Sequence, residues 1–233
     1  MTRAGIITIV RQKMDEVTAF DESIIDNVDL IDPSLNEATI KLLQMVPIHL
    51  VTPVRMDTTS LTVLPPDYKT GYIKLPADFL RIHTFKMQDW QRVVNQAIDQ
   101  QNPKYNLQKN KYTRGGCAKP VVVICWRPPD MESESSTSAS GSIGGPGMQP
   151  DPNAPFKVLE YYSAPWDPDS VNNHKVDSAF YIKRQLPENL TEEHLIDPLA
   201  WLCAGDVFTI LNMTEQAGVC YQHVQKYIKD NAF

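Results

Sequence analysis

Four cysteines and five histidines are the side chains here whose types suit metal or nucleophilic chemistry. A zinc site wants tightly paired ligands such as CxxC or HxxxH. Cys117, Cys125, Cys203 and Cys220 form no such pair, and neither do His49, His83, His174, His194 and His223. Cys220 and His223 share one side of a helix by spacing, which reads as a core thiol beside a surface imidazole. Cys117 follows Gly115-Gly116, but RGGC brings no base and no orienting group, which nucleophilic catalysis requires. GSIGGPG evokes a phosphate cradle, yet it lacks the GK[ST] ending and the strand-to-helix setting. Asp167 and Asp169 flank Pro168 beside Trp166, without the repeat and distal Glu of a calcium loop, so a proline-rich turn is expected there. The reading is therefore no catalytic, cofactor-binding or metal-binding set, with free thiols that are buried.

The elements that must position these residues are legible from periodicity. Ile6, Ile9, Val10, Met14 and Val17 predict a helix from about Ala4 to Val17, capped by Thr2. SLNE predicts a second helix opening at Ser34 with Glu37 completing a capping box. Leu35, Ala38, Leu42, Met45 and His49 are its apolar face, and Pro47 should kink or end it. From about Leu61 the period becomes 2. LTVL and YIKL flank a turn, a strand is expected from Arg81, Gln88-Asp89 turns the chain, and WQRVV offers a return strand. NPKYNLQKNKYTRGG predicts a short helix and a loop. PVVVICW, FKVLEYYSA and SAFYIKR predict further strands. At the C-terminus Asp197 is the expected cap of a helix with Pro198 at its first position. Thr214 is the expected cap of the next, and the two should form an antiparallel hairpin.

Helices, then strands, then helices indicate an α+β fold, a helical bundle from both termini with a β-rich middle. The expected division is residues 1–55, 56–190 and 191–233. Residues 130–155, rich in Ser, Gly and Pro, form a long loop in the middle part. Such a segment cannot bury enough surface to order itself. Something outside its own core is expected to hold it.

Composition bounds the function. The chain has 233 residues, 42% of them hydrophobic, a formal net charge of −6 and a pI near 5.4. That suffices for one substantial core. It argues against a dedicated nucleic-acid binder, although DNA could touch a local patch. No apolar run reaches the length of a membrane span. Arg11, Lys13, Asp15 and Glu16 interrupt the first apolar segment, so an amphipathic helix of a cytoplasmic protein is expected rather than a signal peptide.

One passage has a further reading. Leu75, Pro76, Asp78, Phe79, Leu80 and Arg81 make an LPADFLR step into a strand. Trp90 then precedes the valine pair of WQRVV. Tyr112 to Val123 form a polar segment leading into another strand, and WLCAGDVFTI begins a helical hairpin. In this order they resemble the head–tail connector, or adaptor, proteins of short-tailed bacteriophages, over most of the chain from about residue 4 to 229. Within that group the acidic, Asn- and Lys-containing character is similar to ring proteins of crAss-like phages. The loop at 130–155 is longer than that pattern expects.

The resemblance implies a non-enzymatic virion protein of the neck and tail, assembled in the host cytoplasm. It implies a homo-oligomeric ring, usually dodecameric, that binds the portal and further tail or ring proteins. DNA passes through its channel without specific binding, and no membrane is involved. Ser135, Ser142, Ile143, Met148, Phe233, Arg81 and Trp90 are the interface candidates. Two other readings compete. One is a monomeric carbohydrate- or surface-binding module displaying Trp90, Trp126, Trp166, Tyr161 and Tyr162. The other is a cysteine hydrolase using Cys117 or Cys203.

Overall fold

The computed structural model describes residues 1–18, 28–64, 69–128, 155–162 and 174–232. The fold is α+β, with terminal helices flanking a strand-rich middle. The chain divides into two units. The helical unit comprises Met1–Val54, Asp78–His83 and Tyr181–Phe233, and the strand unit comprises Arg55–Ala77 and Thr84–Phe180.

In the helical unit, α1 spans Arg3–Thr18 and α2 spans Val28–Met45. Two further helices, α4 (Ile196–Ile210) and α5 (Thr214–Asp230), complete it. Thr2 caps α1 as expected, its hydroxyl accepting from the Gly5 N–H at 3.3 Å. Ile6, Val10 and Met14 are buried, with Ile9 and Val17 half-buried beside them. The other expected caps are corrected. α2 begins at Val28, with Pro33 inside it, and Ser34 donates instead to the Leu30 carbonyl at 2.7 Å. Continuing the helix N-terminally places Ile31 in the core and lets the Arg3 guanidinium grip both the side chain and the carbonyl of Asp32. The helix ends at Met45, before Pro47. His49 lies in a short 3-10 turn beyond it, and Met45 is exposed while Leu43 and Val46 are buried.

Asp197 is not a cap either. α4 starts one residue earlier, out of a 3-10 turn at Glu193–Leu195, and the Asp197 carboxylate faces the Lys13 ammonium at 3.1 Å. Thr214 is the first residue of α5 rather than its cap. The reason lies in the preceding turn. Asn212 takes a left-handed φ of 61°, with Met213 N–H bonding back to the Phe208 carbonyl at 2.8 Å and Asn212 N–H to that of Thr209 at 3.1 Å. This double closure of the α4 C-terminus sets the start of α5 without a side-chain cap.

α4 is the centre of the core. Leu199, Ala200, Cys203, Ala204, Val207 and Phe208 are all fully buried, and both sides of the helix pack against others. Gly205 lets α5 approach, since a Cβ there would sit 2.8 Å from the Tyr221 ring. Asp206 ties three helices together, pairing with Lys41 of α2 at 2.8 Å and accepting from the Tyr221 hydroxyl of α5 at 2.9 Å.

The strands are β1 (Val54–Arg55), β2 (Thr62–Leu64), β3 (Thr70–Lys74), β4 (Phe79–Met87), β5 (Ile98–Asp99), β6 (Val122–Arg127), β7 (Phe156–Tyr161) and β8 (Val176–Lys183). A five-stranded sheet has the order β2-β3-β7-β6-β5, antiparallel except for β5 with β6. A three-stranded sheet has the order β1-β8-β4. The expected strand at Arg81 begins two residues earlier, at Phe79. WQRVV does not return as a strand, contributing a single bridge from Val94 to Phe85. The helix α3 (Pro103–Gln108) and its following loop appear as expected. APWDPDS lies outside the described residues, as does almost all of the loop at 130–155.

Candidate functional site

The thiols settle first. Cys125, Cys203 and Cys220 are buried, and each is pushed up to about 12, in every case chiefly by burial. A thiol held protonated is a poor nucleophile. Cys203 also points its sulfur at the Ile31 carbonyl, 3.8 Å away. Cys117 is part-exposed and its carbonyl accepts from Gln91 N–H at 3.0 Å. Among the described residues no group of three or more His, Cys, Asp or Glu side chains is placed to hold a metal ion. His223 is exposed and stacks on Trp201 at 4.2 Å, while Cys220 is buried, as the spacing predicted.

Of the interface candidates, Ser135, Ser142, Ile143, Met148 and Phe233 lie outside the described residues. The other two face inward. Arg81, on β4, donates to the Gln44 carbonyl at 3.0 Å and to that of Val46 at 2.6 Å. It thereby closes the C-terminal end of α2, where carbonyls lack helical partners and the dipole favours a cation. Burial lowers its pKa. Trp90 is 2% exposed and meets Phe85 edge-on at 5.6 Å. Tyr161 and Tyr162 are buried as well, so of the described residues proposed for a carbohydrate platform only Trp126, 61% exposed, presents a ring.

The strand unit holds a buried charge cluster across β3, β6 and β7. Glu160 accepts from Arg127 at 2.8 Å and from the Tyr162 hydroxyl at 2.7 Å. The Arg127 guanidinium lies over the Tyr72 ring at 4.6 Å. Arg127 and Glu160 match one another's charge, and Cys125 beside them stays protonated, so the cluster ties the three strands together. Next to it, the buried Tyr161 hydroxyl bonds His174 Nδ1 at 2.6 Å. Tyr161 lies across from Gly71, where any side chain would strike its hydroxyl.

One concave feature among the described residues of the helical unit is a groove of about 530 Å³ lined by Met1, Ile9, Leu190, Glu193, Ile196 and Asp197. Its lining is apolar apart from two exposed carboxylates. Close by, through Asp197, Lys13 sits with its ammonium 4.9 Å over the Trp201 ring that also stacks on His223. Such a surface suits an apolar side chain flanked by a cation. The sequence contained no signal for it, because two segments far apart in the chain, residues 1–9 and 190–197, build it.

No protein-family model matches the chain, and no curated protein sequence does. No described helix is long and apolar enough to cross a membrane.

Proposed function

We propose that this chain is a structural virion protein, the subunit of an oligomeric ring that joins a phage portal to its tail and extends the DNA channel. The observation carrying this reading is where the residues of the connector resemblance fall. LPADFLR forms the entry into β4, and its Arg81 fastens the end of α2. WLCAGDVFTI forms most of α4, the helix around which the bundle packs. The motifs thus sit at positions that hold the bundle together, as an assembly scaffold requires.

A closed ring needs a heterologous contact, in which one surface of a copy meets a different surface of the next. The groove beside Ile9 and Ile196 supplies one concave half, and a neighbouring copy is its proposed occupant. The number of copies is proposed as twelve by the resemblance alone.

The test is the mass of the purified chain in solution, alone and mixed with a candidate portal protein. A discrete ring, or one that forms only with the portal, is the expected result. A strict monomer that ignores the portal overturns the reading.

A further inference from the structure

The stretch between Asp99 and Asp130 contains six cations and no carboxylate, in a chain whose net charge is −6. Four of the six, Lys104, Lys109, Lys111 and Lys119, are exposed and make no ion pair with a described residue. They ride on α3 and the loop after it, which side chains hold in one shape. The buried Gln108 amide donates to the Lys104 carbonyl at 2.9 Å and accepts from Gly115 N–H at 2.8 Å, spanning the loop. Asn110 accepts from Tyr112 N–H at 2.9 Å, and Thr113 donates to the Leu107 carbonyl at 2.9 Å. Gly115 closes the base, where a Cβ would strike the Lys119 carbonyl. The lysines are therefore presented on a preformed scaffold, which lowers the entropy cost of engaging a ligand.

We infer that this basic tongue contacts the phosphate backbone of duplex DNA without reading its sequence. A cluster of unpaired, exposed cations is the feature that phosphate contact requires, because binding releases the counterions condensed on DNA. Two details favour a duplex backbone over stacked single-stranded bases. Tyr105 is half-buried with Lys109 4.9 Å over its ring, and the exposed Tyr112 ring carries Lys111 on one face at 5.0 Å. The amides suited to base edges, Gln108 and Asn110, are engaged with the backbone of the loop itself. Nearby carboxylates are occupied: Asp99 accepts from Gln101 and Asn102 N–H groups, and Glu160 holds Arg127. The inference goes beyond ring assembly and does not rest on it, since a single copy carries the whole tongue.

The experiment is fluorescence anisotropy of a labelled duplex of about 30 bp, titrated with the full chain between roughly 50 and 150 mM salt. With about four phosphates contacted, log K should fall with log salt at a slope near −3 to −4. Lys109→Glu with Lys111→Glu should weaken binding at least about tenfold at low salt and flatten the slope by about two. Lys226→Glu with Lys229→Glu, on exposed positions of α5, changes net charge equally and should alter binding less than about threefold. Circular dichroism checks that both variants fold. The inference is overturned if the unaltered chain does not bind, or if both variants weaken binding alike. It is equally overturned if the tongue variant changes the oligomeric mass while binding is untouched, which would assign the tongue to a protein contact. Solution mass is read separately, so failure here leaves the ring reading standing.

Discussion

The two units solve the same problem by different chemistry. The helical unit closes around α4 with a core almost wholly of aliphatic and aromatic side chains. The strand unit also has an apolar core, but within it lie Glu160 with Arg127 and Tyr162, and Tyr161 with His174. Hydrophobic burial is non-directional and tolerates small adjustments, whereas a buried polar group costs free energy whenever one partner is missing. One unit should therefore fail through lost volume, and the other through lost partners.

The largest expected effect tests the first half of that contrast. Phe208→Ala should destabilise the helical unit by about 4 kcal/mol, from lost transfer energy plus the cavity left behind. Denaturant unfolding monitored by far-ultraviolet circular dichroism checks it. A loss under about 1 kcal/mol would mean the bundle repacks freely.

Glu160→Gln is next. It keeps an acceptor for Tyr162 but leaves the Arg127 guanidinium without its counter-charge. Breaking such a pair costs several kcal/mol when fully buried. Arg127 remains a quarter exposed, so water returns part of it and about 2–3 kcal/mol is expected. A neutral outcome in the same unfolding assay would show that the cluster is not what holds the three strands.

Gly205→Ala sharpens the packing side. Alanine gains about 1 kcal/mol of helix propensity. The new Cβ, however, would sit 2.8 Å from a Tyr221 ring pinned through its hydroxyl by Asp206 and Thr209. Overpacking of about 1–3 kcal/mol should win, for a net loss of about 1 kcal/mol in thermal unfolding. A stabilised variant would mean that α5 moves away at little cost.

The smallest effect is a pH dependence inside the helical unit. Burial, and then the neighbouring Arg81 charge, lower the pKa of His83 from 6.5. The folded chain thus keeps the imidazole neutral where the unfolded chain binds a proton. The unfolded state is favoured as pH falls through 6.5 toward the folded value, and above 6.5 no penalty remains. His83→Gln should flatten the change in denaturation midpoint between about pH 7.5 and 5.5. An unchanged slope would place the sensitivity elsewhere.

These contrasts also explain what could be read from the sequence. Strands β6, β7 and β8 and the helices α1, α4 and α5 were legible because β-branched runs and a 3.6-residue period report burial directly. Helix starts were not. Ser34, Asp197 and Thr214 have the right types for caps, but tertiary partners recruited or bypassed them. Asp197 answers to Lys13, far away in sequence, and α5 begins where the Asn212 turn puts it. WQRVV has strand composition, but only Val94 meets a partner strand. The groove was invisible because its walls come from two segments far apart in sequence, residues 1–9 and 190–197. The basic tongue was visible as a run of lysines, yet the net charge of the whole chain concealed it. Arg81 and Trp90 read as interface candidates by type, but type alone does not tell an outward contact from an inward one.

The helical unit draws on the first 54 residues, on Asp78–His83 and on residues from 181 onward, whereas every residue of the strand unit lies between 55 and 180. During synthesis the strand unit is therefore fully extruded first. The apolar faces of α1 and α2 must meanwhile wait for α4, the helix that both pack against. At about 5–20 residues per second that wait lasts roughly 10–40 s on the ribosome. Over that interval Ile6, Val10, Leu35 and Leu42 have no α4 to cover them, and their apolar surface stays open in the nascent chain.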